Sequence, residues 1–219
     1  ALGDYDNDGD LDLAIAGKDP SQLVAKIYRN DNGNFTDIGA VLTGVRNASL
    51  KWGDYDNDGD LDLIITGLSR LDASASSLTK LYINNGGNFE ESSFNSMLPQ
   101  IWGVVNWSDY DNDSDLDMLL IGEASNMKGL ANLLSNETNV KNLPPSAPTG
   151  LNALVEGNMV TLSWIQSQDD KTPAKGLTYN LCIGTTPGGV DILSPMSYLE
   201  TGNRQIVDFG NAGHLTQRT

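Results

Sequence analysis

The sequence predicts an all-β chain, and three observations predict it. A run of alternating carboxylates flowing into apolar residues occurs three times, from Asp4, Asp54 and Asp109, at intervals of 50 and 55 residues. After each run the apolar residues recur with period two, as in strands and not helices. Short segments rich in aromatic and β-branched residues then alternate with Gly- and Asn-rich turns. A period of about 50 residues with this content matches a four-stranded propeller blade.

The second copy, Trp52-Gly53-Asp54-Tyr55-Asp56-Asn57-Asp58-Gly59-Asp60-Leu61-Asp62-Leu63, shows the chemistry most plainly. Asp54, Asp56 and Asp58 can turn inward on one cation, Gly59 permits a sharp bend, and Asp60 is placed to lend its backbone carbonyl. Asp62, at loop position nine, closes the cage. Hard oxygen donors with no Cys or His in the loop suit Ca²⁺ over zinc or copper. A helical EF-hand needs Glu at position twelve, where this loop has Ile65, and it needs flanking amphipathic helices. The first copy sets out Asp4, Asp6, Asp8, Asp10 and Asp12 in the same way, and the third Asp109, Asp111, Asp113, Asp115 and Asp117. Three calcium sites are therefore expected. Ser114 replaces the bend glycine in the third, at a cost of roughly 1 kcal/mol if it sits at positive φ, which predicts a weaker site.

On these motifs residues 1–142 resemble FG-GAP or VCBS-type repeats, similar to the calcium-binding blades of the integrin α-subunit propeller. The resemblance implies a partial integrin-like β-propeller of about three blades, fewer than the 4–8 of a closed ring, and hence a piece of a larger protein.

In chain order, the strand that should lead into the first loop is missing, judged by the second copy, where 48–52 leads in. Leu11, Leu13 and Ile15 alternate with Asp12, Ala14 and Ala16, and beyond Asp12 both faces are nearly apolar, as in a strand between two layers. Residues 25–30 read as the next strand, 31–33 as a tight turn and 34–36 as the start of an outer strand. The second repeat follows with strands 61–66 and 80–84, a turn at 85–87, an outer strand from Asn88, and a longer polar loop at 69–77. The third has strands 104–107, 116–121 and 130–134, but 136–138 lacks the Gly-Asn-Phe ending seen twice before. Trp52 and Trp107, each two residues ahead of the first aspartate, read as packing between blades.

Residues 143–148, with three prolines, read as a stiff extended linker. Beyond it, 158–164 and 177–183 alternate as strands, with Trp164 and Tyr179 inward. The proline-rich entrance, Gly150-Leu151, Trp164 and Tyr179 resemble a fibronectin type III domain. Residues 149–219 are too few for its seven strands, and no tyrosine-corner strand follows Gly213-His214, so an incomplete β-sandwich is expected.

A net charge of −16, from 29 acidic and 13 basic residues, argues against nucleic acid and anionic membranes as partners. No apolar run is long enough to insert in a membrane. Fifteen of the 29 acids lie in the three loops, so the acidity belongs to metal sites and not to an acidic tail. The lone Cys182 cannot form an internal disulfide, and its alternating strand predicts a buried, inert thiol. The lone His214 sits in a polar stretch near the end and supports no catalytic triad. Gly86-Gly87 and Gly188-Gly189 read as hairpin turns and not phosphate loops. Sequons at Asn34, Asn47, Asn106 and Asn136 read as chance matches.

The expected function is a non-catalytic, calcium-stabilised extracellular or cell-surface module for protein or glycan binding and adhesion. Its calcium is a staple within each blade, at affinities of about 10⁻⁴–10⁻³ M that suit the outside of cells. One alternative is the accessory binding portion of a larger secreted enzyme or toxin. Another gives the propeller itself a central carboxylate site.

Overall fold

The structure is a computed structural model that describes residues 1–219 except 72–75, 97, 112, 125–127, 201 and 203–209. Asn112 of the third loop and part of the 69–77 loop therefore lie outside the described residues. The chain forms two compact units, Ala1–Asn142 and Leu143–Thr219. Among the described residues the regular structure is strand, apart from one 3₁₀ turn at Ser93–Ser96, and no helix is long and apolar enough to cross a membrane.

The first unit holds three antiparallel sheets, each with its strands in chain order. Sheet one contains β1 (Leu2–Gly3), β2 (Asp12–Lys18), β3 (Leu23–Asp31) and β4 (Asn34–Asp37). Sheet two contains β5 (Arg46–Gly53), β6 (Asp62–Leu68), β7 (Ser77–Asn85) and β8 (Asn88–Glu91). Sheet three contains β9 (Ile101–Ser108), β10 (Asp117–Ala124) and β11 (Gly129–Leu134). The lead-in strand is shortened and not missing: β1 pairs Leu2 with Leu13 and Gly3 with Asp12, and the Ala1 ammonium donates to the Ala14 carbonyl at 2.8 Å. Strands outrun their apolar signal because polar residues join the ladders, as where Thr66 pairs Thr79 and Leu68 pairs Ser77. Asn-Gly and Gly-Gly turn chemistry closes the hairpins, with Asn32, Gly33, Gly86 and Gly87 all at positive φ.

The sheets stack through the period-two pattern. Leu63, Ile65 and Tyr82 on one face of sheet two join Ala14, Ile27, Val45, Trp52 and Tyr5 in a first core. Ile64 and Leu81 on the opposite face join Ile101, Val105, Trp107, Met118 and Leu120 in a second. β6 is thus buried on both sides, which explains its unbroken apolar run. The tryptophans close these junctions by lying on glycine. A Cβ on Gly3 would come within 2.6 Å of the Trp52 ring, and one on Gly53 within 2.6 Å of the Trp107 ring.

The second unit carries a three-stranded sheet of β12 (Thr149–Glu156), β13 (Met159–Ile165) and β14 (Gln217–Arg218). The expected strand at 177–183 does not form; the segment makes single bridges, Tyr179 to Gly213 and Ile183 to Leu193. Side chains take the place of a ladder. The Asn211 amide accepts from Leu181 N and donates to Leu181 O, both at 2.7 Å, and the Tyr179 hydroxyl accepts from Ser167 N at 2.9 Å. Cys182 on this irregular segment is consequently exposed and not buried as its alternation predicts. The proline-rich stretch is held to this same unit: Ser146 N donates to the Gln168 carbonyl at 2.8 Å, and Gln168 N to Ser146 Oγ at 2.9 Å. His214 is partly buried, with Nδ1 3.3 Å from the Leu177 carbonyl.

Candidate metal centres

Each acidic loop is a tight bend immediately ahead of a central strand, and its conformation follows from its residues. Asn7 and Asn57 adopt φ of 57° and 59°, and Gly9 and Gly59 both adopt 97°. Asn and Gly tolerate this left-handed region best. Ser114 holds the glycine position of the third loop at φ 78°, so the strain expected of it is present.

The first aspartate of each loop folds the bend around itself. Asp4 accepts from Asp8 N and Gly9 N at 3.0 Å each, Asp54 from Asp58 N and Gly59 N at 3.0 Å each, and Asp109 from Asp113 N and Ser114 N at 3.1 and 3.2 Å. The ninth-position aspartates are wholly buried and sit between two backbone donors. Asp12 accepts from Tyr5 N and Asn30 N, Asp62 from Tyr55 N and Asn84 N, and Asp117 from Tyr110 N and Asn136 N, all within 3.0 Å. The seventh-position side chains reach the segment that follows the third strand of their own sheet: Asp10 accepts from Asn32 N, Asp60 from Gly86 N and Asp115 from Thr138 N. Asp8, Asp58 and Asp113 each accept from the amide two residues on.

Within this scaffold carboxylates converge. One oxygen from each of Asp4, Asp6 and Asp8 lies within 4.8 Å of the others, and Asp54, Asp56 and Asp58 repeat the grouping. In the third loop the trio is Asp109, Asp111 and Asp117, so the ninth position enters the cluster there, whereas Asp113 does not.

The electrostatics disfavour bare carboxylates. Burial pushes Asp62 up to about 8, and Asp4, Asp12 and Asp54 up to about 6, against their backbone donors. Asp115 rises to about 6 through burial and then the Asp113 charge, and burial and neighbouring acids also raise Asp6, Asp56 and Asp111. The ion pairs Lys26–Asp37, Arg29–Asp31 and Lys80–Glu91 lie outside the loops, and the Arg29 charge offsets the rise of Asp6 only in part. Oδ1 of Asp56 and Oδ1 of Asp115 are buried with no hydrogen-bond partner. Such oxygens beside like charges fit a hard cation. Asp4, Asp6 and Asp8 would hold one such ion, Asp54, Asp56 and Asp58 a second, and Asp109, Asp111 and Asp117 a third.

An open cleft of about 410 Å³ adjoins the second loop, lined by Tyr55, Asp56, Phe94, Asn136, Glu137 and Thr138, among others. Sequence reasoning missed two asparagine sets here. Asn30, Asn84 and Asn136 each donate a backbone amide to the ninth-position carboxylate, while Asn7 and Asn57 reach into the following loop. Of the four sequons, Asn136 is buried in this network; Asn106, expected inside a core strand, lies on β9 with an exposed side chain.

Residues 4–65 match the family model described as FG-GAP-like repeat, a span running from the first acidic loop through sheet one and the second loop to Ile65. No curated protein and no solved structure matches the chain.

Proposed function

We propose that the chain is a non-catalytic, calcium-stabilised module of an extracellular or cell-surface protein, in which three blades of a propeller present their loops to a protein or glycan. The observation that carries this reading is the threefold carboxylate loop between the first and second strands of each sheet, with an orphaned buried oxygen on Asp56 that asks for a cation. Calcium in this role joins the loop to the strand that follows and offsets the mutual repulsion of the acids. The exposed apolar residues Val104, Ile121 and Leu133 of sheet three support a blade within a larger ring, since the corresponding face of sheet two is covered. The second unit serves as a fibronectin-like spacer. The cleft beside Tyr55 and Phe94, with Asp56 and Glu137 at its wall, supports a polar ligand such as a glycan or a basic side chain.

The test is thermal unfolding across a calcium titration, from excess chelator to several times the saturating concentration. Stability rises by roughly 2.7 kcal/mol per site at a hundredfold excess over Kd, and Asp54→Ala removes one site's share. A melting curve indifferent to calcium and chelator overturns the reading.

A further inference from the structure

The three loops are not separate units of structure. Starting from the first, Asp12 accepts from Tyr5 N at 2.9 Å, and the Tyr5 carbonyl accepts from Asn84 Nδ2 at 2.9 Å. Asn84 N donates to Asp62 at 2.8 Å, and Asp62 accepts from Tyr55 N at 2.7 Å. The Tyr55 carbonyl accepts from Asn136 Nδ2 at 2.7 Å, and Asn136 N donates to Asp117 at 3.0 Å. One unbroken, largely buried line of amides and carboxylates thus joins all three loops, in surroundings where hydrogen bonds are strong and costly to leave unmade.

A second set of links runs between the bends themselves. Asn7 Nδ2 donates to the Gly59 carbonyl at 3.2 Å and to Asp60 Oδ1 at 3.0 Å. Asn57 Nδ2 donates to the carbonyls of Ser114 at 3.3 Å and Val140 at 3.1 Å. Asn7 stands between Asp6 and Asp8, and Asn57 between Asp56 and Asp58. Whatever orders the second bend fixes the acceptors that hold Asn7, and with them the direction of the two carboxylates flanking it.

We propose that the three loops load metal as a coupled set, with Asn7, Asn57, Asn84 and Asn136 as the positioning residues that transmit the coupling; the proposal rests on the metal-loop reading above. A loop whose neighbour is already ordered loses less conformational freedom on binding, so each ion raises the affinity for the next. Linkage makes the effect reciprocal between neighbours.

The test uses the full chain and Ca²⁺, with the amide NMR signals of Gly9, Gly59 and Ser114 reporting the three loops separately. Asp56→Asn disables the second loop while leaving Gly59 and Asp60, the acceptors for Asn7, in place. The calcium midpoint read at Gly9 then rises by about fivefold or more. In an Asn7→Gly chain, where glycine keeps the left-handed backbone, Asp56→Asn raises that midpoint by less; Asn84→Ser gives the same reduction through the buried link. A purely structural role for these asparagines lowers melting temperature but leaves the ratio of midpoints unchanged, which overturns the proposal. An equal Gly9 midpoint with and without Asp56→Asn means independent loops, and overturns the coupling while the metal reading stands. No calcium response at any of the three signals overturns both.

Discussion

The two junctions of the first unit solve one packing problem with different parts. At the first, Tyr5, Trp52 and Phe89 meet with ring centroids 5.4–6.0 Å apart. At the second, Tyr55 and Trp107 stand 6.0 Å apart and Phe94 lies 6.3 Å from Tyr55. The loop tyrosine and the lead-in tryptophan keep their repeat positions. The third ring does not: Phe89 comes from the outer strand β8, but sheet three has no fourth strand among the described residues, and Phe94 arrives from the 3₁₀ turn of sheet two. The difference teaches that the tyrosine–tryptophan pair is the repeated part of the junction, whereas the added ring varies in source and in geometry: Phe89 meets both Tyr5 and Trp52, and Phe94 stacks on Tyr55.

The sharpest way to break the comparison is to remove each tryptophan. Trp52→Ala and Trp107→Ala each cost about 3–5 kcal/mol in denaturant unfolding, and a much smaller loss at one site would mark that junction as loosely packed. Next, Gly3→Ala and Gly53→Ala push a methyl into a tryptophan ring and cost about 1–3 kcal/mol; a neutral result means the ring can slide away. The metal-free chain separates the loops by pH. Asp62 in the folded state titrates near 8 and Asp12 near 6, both above the ordinary 3.8. The folded state therefore binds the proton more tightly than the unfolded state does. Stability in chelator is greatest in acid and falls as pH rises, up to near 6 for Asp12 and on to near 8 for Asp62, by up to about 1.4 kcal/mol per pH unit from one group. Calcium, which takes the ionised carboxylates, opposes the fall; unfolding midpoints that do not move between pH 4 and 8 in chelator contradict this. The smallest effect belongs to the third loop alone: Ser114→Gly relieves the φ of 78° and adds about 1 kcal/mol, read as a small rise in melting temperature.

The loops were legible because everything that shapes them is contiguous. Positions one, three, five and six of Asp54 to Gly59 fold on each other, and no distant residue is needed to see the bend. The asparagines were not legible for the opposite reason. Asn30, Asn84 and Asn136 stand 18, 22 and 19 residues after their aspartates, because the intervening loops differ in length, so no fixed spacing announces them. Asn7 and Asn57 passed as spacers between ligands, since only the fold brings the next loop within reach. In the second unit, the period-two pattern at 177–183 promised a strand and an enclosed Cys182. Alternation reports only where a ladder would put side chains; the Asn211 amide had already taken both backbone groups of Leu181. The strand reading of β6 succeeded because sheets were present to cover both of its faces.

The glycines beneath the tryptophans carry a consequence for how such an array can grow by duplication. Gly3 and Gly53 leave bare backbone on which the next repeat lays its indole, but the corresponding residue of the third repeat is Ser108. A gene copy of the second repeat inserted after itself would find a receptive surface and could be retained at once. A copy placed after the third would meet a hydroxymethyl group where the indole must rest, so a blade that covers the exposed face of sheet three has to make that contact in another way.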